Sequence, residues 1–119
     1  MTEDSPWVKL DRDKQVFEIG GQSLPENSYE FYKPVLNWLT KYLKDPNPKT
    51  VFKFKFEYFN SITARRLVEI FSLLKQIHLN GNSIKICWYH EKENDLIKSK
   101  GYELLNLFDT PFEIIELEN

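Results

Sequence analysis

The segment Asn60-Ser61-Ile62-Thr63 carries the most informative candidate chemistry in this 119-residue chain. It joins a predicted aromatic strand directly to the longest predicted helix, which places two hydroxyl groups in the first turn of that helix. A phosphate at this position would meet backbone N–H groups and the positive end of the helix dipole. Arg65 lies four residues after Ser61, within reach of an oxyanion on that serine. From residue type alone, helix capping by Ser61 or Thr63 is the commoner role, and a regulatory phosphate is the alternative.

The remaining candidate groups do not form a recognisable catalytic or metal site. Cys87 and His90 are three residues apart on a predicted strand, so they lie on opposite faces and do not form a nucleophile–base pair. No third or fourth ligand stands at a spacing typical of zinc sites. Gly20-Gly21 lacks the further residues of a nucleotide-binding loop and predicts a turn that ends a strand. We therefore expect no enzymatic activity, no bound metal and no cofactor.

The composition excludes several functional classes. Sixteen basic and eighteen acidic residues give a net charge of −2, so the chain lacks the concentrated basic surface that nucleic-acid binding requires. It also lacks an apolar run of roughly 18 residues and a recognisable signal peptide. The single Cys87 cannot form an internal disulfide, as is usual in a reducing cytosol. We expect a soluble, cytoplasmic protein of one domain, residues 1–119, that binds neither nucleic acid nor membranes.

Alternating and helical patterns in the first half predict two strands and a helix. Trp7–Asp11 and Gln15–Ile19 alternate around a polar turn, which predicts a β-hairpin. Asn27 and Glu30 have the spacing of a capping box, which predicts a helix start. The apolar face of that helix has residues spaced by three and four, namely Phe31, Val35, Trp38, Leu39 and Tyr42. Pro34 predicts either a kink or a helix that begins there.

The second half alternates strands with helices. Phe52, Phe54, Phe56 and Tyr58 predict the buried face of a strand over Thr50 to Phe59. Ser61 to Leu79 reads as a helix with the apolar stripe Ala64, Leu67, Val68, Phe71, Leu74 and Ile77, ended by Asn80-Gly81-Asn82. Further elements are a strand over Ser83 to Tyr89, a helical stretch over Glu91 to Leu107 that is weakened or broken at Gly101, and a strand over Phe112 to Leu117.

The predicted order is ββαβαβαβ, which is typical of an α/β fold. Each helix after the hairpin lies between two strands, so largely parallel pairing is expected. We predict a five-stranded mixed sheet with helices packed mainly on one face. In such sheets, sites collect where strands end and helices begin, which again favours the Asn60–Thr63 segment.

Four stretches of the chain match a family pattern in order and spacing. They are Pro25-Glu26-Asn27-Ser28 with Phe31 and Pro34-Val35-Leu36-Asn37-Trp38-Leu39; Phe56-Glu57-Tyr58-Phe59-Asn60-Ser61; Ile84 to Tyr89; and Pro111-Phe112-Glu113-Ile114-Ile115. Together they resemble the SiaC-type regulatory phosphoproteins of bacteria, from about Ile19 to Leu117. That family is similar in architecture to STAS domains, the small partner-switching modules of anti-sigma-factor antagonists.

The resemblance implies a phosphorylation cycle and no catalysis. A serine/threonine kinase would modify a hydroxyl at the start of the helix, and a PP2C-type phosphatase would remove the phosphate. The unmodified form would bind a downstream target, in this family a diguanylate cyclase, and so affect cyclic-di-GMP and biofilm formation. Asn60, Ser61, Thr63 and Arg65 are the expected partner-binding residues.

The chain departs from the family pattern at the acceptor. The family acceptor is typically a threonine within Asn-Thr-Ser-Ser, and the matching position here is Ser61. Ile62 and Thr63 follow it, so Thr63 is the alternative acceptor. Two other functions stay open from the sequence. One is a STAS-like anti-sigma-factor antagonist, and the other is an interaction module that is never modified.

Overall fold

The structure, a computed structural model, describes residues 7–23 and 28–117. These residues form strands and helices in the predicted order ββαβαβαβ. The strands are β1 (Trp7–Asp11), β2 (Val16–Ser23), β3 (Lys49–Phe59), β4 (Ser83–Glu91) and β5 (Phe112–Leu117). The helices are α1 (Ser28–Lys44), α2 (Ser61–Leu79) and α3 (Asp95–Leu107).

The strands form a mixed sheet in the spatial order β1-β2-β3-β4-β5. β1 is antiparallel to β2, and the pairs from β2 to β5 are parallel, because a helix connects each strand to the next. On one face of the sheet, Phe71 of α2 lies 4.9 Å from Phe54 of β3 between ring centroids. Trp38 of α1 lies 5.9 Å from Phe17 of β2 on the same side. The predicted fold class is confirmed.

β2 is longer than predicted because Gly20 and Gly21 continue the strand. They pair in parallel with Lys55 and Phe56 of β3, so the expectation of a turn at the two glycines is wrong. Gly20 is also needed sterically. A Cβ at this position would lie 2.5 Å from the Trp7 ring and 2.6 Å from the Lys55 carbonyl oxygen. The missing side chain lets Trp7 cover the strand.

α1 begins at Ser28 and continues through Pro34. The alternative in which the main helix starts at Pro34 is therefore wrong. The predicted cap at Asn27 lies outside the described residues. The predicted apolar face is confirmed, with Val35, Leu39 and Tyr42 buried and Phe31 and Trp38 packed against them. Tyr32 is also fully buried, which the periodicity did not indicate.

β3 keeps its predicted alternation only as far as Phe56. Phe52, Phe54 and Phe56 are buried as expected. Tyr58, which the alternation places on the same face, is 41% exposed, whereas Phe59 is 7% exposed. The assignment of Tyr58 to the core face is therefore wrong.

A β-bulge at Glu57 explains this reversal. Phe56 pairs with Gly21 of β2, and the next registered pair is Tyr58 with Gln22. Glu57 is therefore an extra residue on β3. An extra residue shifts the two-residue period by one, which turns every later side chain to the opposite face.

α2 supplies the centre of the core with the predicted bounds. Its buried residues are Thr63, Leu67, Ile70, Phe71, Leu74 and Ile77. Val68, which the periodicity places in the apolar stripe, is 37% exposed, while Ile70 is fully buried. The buried face is rotated toward Ile70 because α2 packs against α1 as well as against the sheet. Gly81 has a φ of +91°, which confirms the predicted glycine termination.

β4 and α3 meet around Trp88. β4 extends to Glu91, and α3 begins at Asp95, so the expected helix start at Glu91 is four residues too early. The helix then runs unbroken through Gly101. Trp88 is fully buried, and its indole N–H donates to the Ile97 carbonyl at 2.9 Å. This bond fixes the first turn of α3 on the sheet.

Candidate functional site

The candidate site lies at the edge of the sheet where the parallel strands end. β3 ends at Phe59 and is followed by Asn60 and the first residue of α2, Ser61. β4 ends at the same edge with Glu91, and α3 begins four residues later. The predicted site segment and the β4–α3 connection therefore occupy neighbouring positions, as expected for carboxyl ends of parallel strands.

Asn60 is the N-cap of α2. Its backbone is extended (φ −84°, ψ 172°), and its Oδ1 accepts a hydrogen bond from the Thr63 N–H at 2.8 Å. Asparagine is among the best N-cap residues because its side chain satisfies an N–H that the helix leaves unpaired. The expectation that Ser61 or Thr63 provides the cap is therefore wrong, and the serine side chain is not used for this purpose.

The two hydroxyl residues of the segment differ in access to solvent. Ser61 is the first residue of α2 and is exposed. Thr63 lies two residues further and is 0% exposed. Its backbone N–H donates to the Asn60 side chain, so Thr63 is part of the capped turn. Only the Ser61 hydroxyl of this pair is open to an enzyme without local unfolding.

The electrostatics at this helix start favour an anion. The first turn of α2 contains no acidic residue, whereas the first turns of α1 and α3 contain Glu30 and Asp95. The positive end of the α2 dipole is therefore not offset by a carboxylate of its own first turn. Arg65 is exposed, one helical turn beyond Ser61.

Arg66 is engaged in packing rather than open for a ligand. Its Nη1 lies 2.9 Å from Glu69 Oε1, and its guanidinium stacks over the Tyr29 ring at 5.6 Å. Its side chain is 18% exposed. Arg66 therefore links α2 to the start of α1, and of these two arginines Arg65 is the one that is exposed.

Exposed apolar side chains flank Ser61. Tyr58 is 41% exposed at the end of β3, and Ile62 is 50% exposed in the first turn of α2. Large apolar side chains at the surface are a frequent feature of contact sites. Sequence reasoning missed Tyr58 because the Glu57 bulge, which turns this residue outward, left no recognisable pattern in the strand.

Asn94 is a second asparagine at this edge that sequence reasoning missed. Its Oδ1 accepts from the Ile97 N–H at 3.2 Å and caps α3. Its Nδ2 donates to the Glu57 carbonyl of β3 at 2.8 Å. An asparagine directly before Asp95 and an apolar residue was the available signal for the cap. Nothing in the sequence indicated the bond to β3.

Cys87 and His90 do not form a reactive pair. Cys87 is in register with Lys53, whereas His90 lies three residues further along β4, so the alternation separates their faces. Both are buried. His90 Nδ1 lies 2.8 Å from the Glu91 carbonyl oxygen. Burial raises the pKa of the Cys87 thiol, which disfavours the thiolate.

A further concave feature of the described residues lies between two helices. A groove of about 150 Å³ between α2 and α3 has an apolar lining apart from Lys100 and Glu103. Lys100 Nζ lies 3.6 Å from Glu103 Oε2, so these two side chains form an ion pair with each other. Among residues 7–23 and 28–117, no three His, Cys, Asp or Glu side chains are grouped as metal ligands. In the same ranges, no helix has the length and hydropathy to cross a membrane.

Comparisons with known proteins agree on one relationship. The model of the SiaC family of regulatory phosphoproteins matches residues 1–117. The uncharacterized protein PA14_02130 of Pseudomonas aeruginosa (strain UCBPP-PA14) is 25% identical over 113 residues, which are 95% of this chain and 90% of that protein.

Solved structures show the same fold. SiaC of Pseudomonas aeruginosa superposes with a TM-score of 0.89 at 23% identity, covering 98% of this chain and 94% of the other. A chain in the crystal structure of the diguanylate cyclase SiaD in complex with its activator SiaC, from the same organism, gives 0.91 at 24% identity, covering 98% and 96%. With the family model spanning nearly all of its length, this chain belongs to the SiaC family of regulatory phosphoproteins.

Proposed function

We propose that the chain is a non-catalytic signalling protein whose unmodified form binds a diguanylate cyclase and whose binding is switched by phosphorylation of Ser61. A serine/threonine kinase adds the phosphate and a PP2C-type phosphatase removes it. The output is the level of cyclic-di-GMP in the cytoplasm. Support for the partner class comes from SiaC of Pseudomonas aeruginosa, which is the activator in a complex with the cyclase SiaD.

The observation that carries the choice of acceptor is the difference in exposure between Ser61 and Thr63. A kinase must bring the hydroxyl to its own catalytic groups, so the acceptor has to be accessible. Ser61 is exposed at the helix start, and Thr63 is fully buried behind the Asn60 cap. We therefore assign the phosphate to Ser61 and give Thr63 a structural role in the capped turn.

The surroundings of Ser61 accommodate a phosphate without loss of the fold. Its charge would lie at the positive end of α2, where the first turn has no carboxylate to repel it. Arg65 lies one turn along the helix and could pair with the added oxygens. Because Asn60 is the cap, the modification does not remove the hydrogen bond that starts the helix.

The same charge would oppose a partner packed over this edge. Tyr58 and Ile62, which precede and follow Ser61 in the chain, are exposed apolar residues that a target would cover. A covered phosphate would lose its hydration while carrying almost two negative charges, and that loss is costly when no cation of the partner compensates it. Phosphorylation thus releases the target, and the unmodified surface of Asn60, Ser61 and Arg65 binds it.

The experiment that tests this assignment is site mapping with matched variants. Wild type, Ser61→Ala and Thr63→Val are incubated with the cognate kinase and ATP, and the products are measured by intact mass and peptide mapping. We expect one phosphate on wild type and Thr63→Val, and none on Ser61→Ala. A phosphate on Thr63 would move the acceptor by two residues. The absence of phosphate anywhere in the segment would leave a constitutive interaction module.

A further inference from the structure

We infer that Asn94 is a positioning residue of the proposed partner-binding edge, which holds the end of β3 and so presents Tyr58 and the Asn60–Thr63 segment in one arrangement. The inference rests on the proposed function, because it concerns the same edge. Asn94 acts through its bond to the Glu57 carbonyl and need not contact the partner itself.

The ladder between β3 and β4 stops before β3 does. The last registered pair is Phe54 with Trp88. β3 continues to Phe59, and beyond Phe54 its registered partners in the described chain lie in β2 alone. The end of β3 therefore lacks the hydrogen bonds that a second neighbouring strand would provide.

The side chain of Asn94 replaces part of that ladder. Its Nδ2 donates to the Glu57 carbonyl at 2.8 Å, three residues beyond the last β3–β4 pair. At the same time its Oδ1 caps α3 by accepting from the Ile97 N–H. Both ends of the amide are used, so the start of α3 and the end of β3 are joined by one side chain. A serine is too short to span both, and an aspartate has no donor.

The bonded carbonyl belongs to the bulge residue itself. Glu57 is the residue without a partner in the β2–β3 register, and the bulge decides which of the next two side chains points inward. With the bulge in place, Phe59 is 7% exposed and Tyr58 is 41% exposed. Asn60 and the start of α2 follow directly. Loss of the Asn94 bond should therefore loosen the bulge and the residues that follow it.

The test uses Asn94→Asp and Asn94→Ser, because both keep an N-cap oxygen for α3 and both lose the amide donor. Asn94→Ser adds no charge, which separates loss of the bond from repulsion of the Glu57 carbonyl. Ser99→Asp, at an exposed position of α3, is the control for added charge. Melting temperatures of all four proteins show whether the fold is retained.

The first readout requires no partner. Amide hydrogen exchange by NMR should be about five- to tenfold faster at residues 58–62 in both Asn94 variants, as expected for the loss of one hydrogen bond. Exchange in the β1–β2 hairpin should match wild type, and Ser99→Asp should match wild type throughout. Unchanged exchange at residues 58–62 would overturn the inference.

The second readout is binding to purified SiaD of Pseudomonas aeruginosa. If wild type binds, both Asn94 variants should bind about five- to tenfold more weakly while Ser99→Asp binds normally. Equal affinity of wild type and both Asn94 variants would overturn the positioning role even if exchange changes. If wild type itself fails to bind, that result counts against the proposed function, and the exchange measurement alone decides whether Asn94 holds the edge.

Discussion

Trp88 lies against the backbone of Gly101 so closely that a Cβ at Gly101 would be 2.5 Å from Trp88 Cδ1. The indole is fully buried and is fixed by its bond to the Ile97 carbonyl. It also contacts the rings of Phe54 and Phe59, with centroid distances of 5.7 and 6.1 Å. The absence of a side chain at Gly101 therefore lets α3 pack closely on the sheet, although glycine is unfavourable in a helix interior.

Gly101→Ala should destabilise the protein. Overpacking against a fixed ring costs about 1–3 kcal/mol, and the gain in helix propensity returns up to roughly 1 kcal/mol. We expect a net loss of up to about 2 kcal/mol in the free energy of unfolding, measured by urea denaturation. Ser99→Ala, an exposed substitution in the same helix, is the control and should cost little. A stabilised Gly101→Ala variant would show that α3 sits further from Trp88.

The bulge at Glu57 predicts unequal effects at two adjacent aromatic residues. Phe59→Ala should cost about 3–5 kcal/mol because the ring is buried against Phe56 and Trp88. Tyr58→Ala should cost less than about 1 kcal/mol because Tyr58 is largely outside the core. Urea denaturation of both variants checks the pair. A larger loss for Tyr58→Ala than for Phe59→Ala would indicate that β3 alternates strictly and has no bulge at Glu57.

Elements whose residues follow one periodic pattern were predictable from the sequence, whereas features that depend on distant residues were not. α2 was predictable because nineteen residues follow one period, and the strand order follows from the alternation of strands and helices. The bulge was not, since Glu57 has no distinctive residue type and its effect depends on pairing with β2. The glycine pair Gly20-Gly21 was wrongly predicted to form a turn. The reason for a glycine at position 20 is its close approach to Trp7 and Lys55, which are distant in the sequence.

The features of the candidate site also fall into those that were predictable from the sequence and those that were not. The position of Ser61 at a helix start was predictable from the boundary between an aromatic strand and an amphipathic helix. The Asn60 cap spans only three residues and uses a preferred N-cap residue, so it too was open to prediction. The role of Asn94 was not, because it depends on a bond across 37 residues. Such contacts are decided by tertiary packing, which a periodic pattern does not encode.

The Cys87 thiol should react slowly in the folded protein. It is buried, and burial raises the pKa of this thiol, so the thiolate fraction at pH 8 is below that of an ordinary cysteine. Labelling by DTNB at pH 8 should be at least about tenfold slower than in urea-unfolded protein, and should accelerate as pH rises. Equal rates in the two states would place the thiol at the surface.

Phosphorylation of Ser61 should leave the stability of the fold nearly unchanged. A dianion at the N-terminus of α2 gains about 0.3–1 kcal/mol from the dipole, and the Asn60 cap is untouched. We expect the melting temperature of the phosphorylated protein to equal or slightly exceed that of the unmodified protein, measured by calorimetry. A drop of several degrees would mean that the phosphate disrupts the helix start and acts through unfolding.

The most direct test of the switch is a titration of the diguanylate cyclase with the unmodified and the Ser61-phosphorylated chain, using isothermal calorimetry. The unmodified chain and Ser61→Ala should bind with equal affinity, and phosphorylation should weaken binding by at least about tenfold because the charge is desolvated at the contact. Kinase treatment should not change the binding of Ser61→Ala. Equal binding of the phosphorylated and unmodified chains, with the phosphate mapped to Ser61, would contradict the proposed switch.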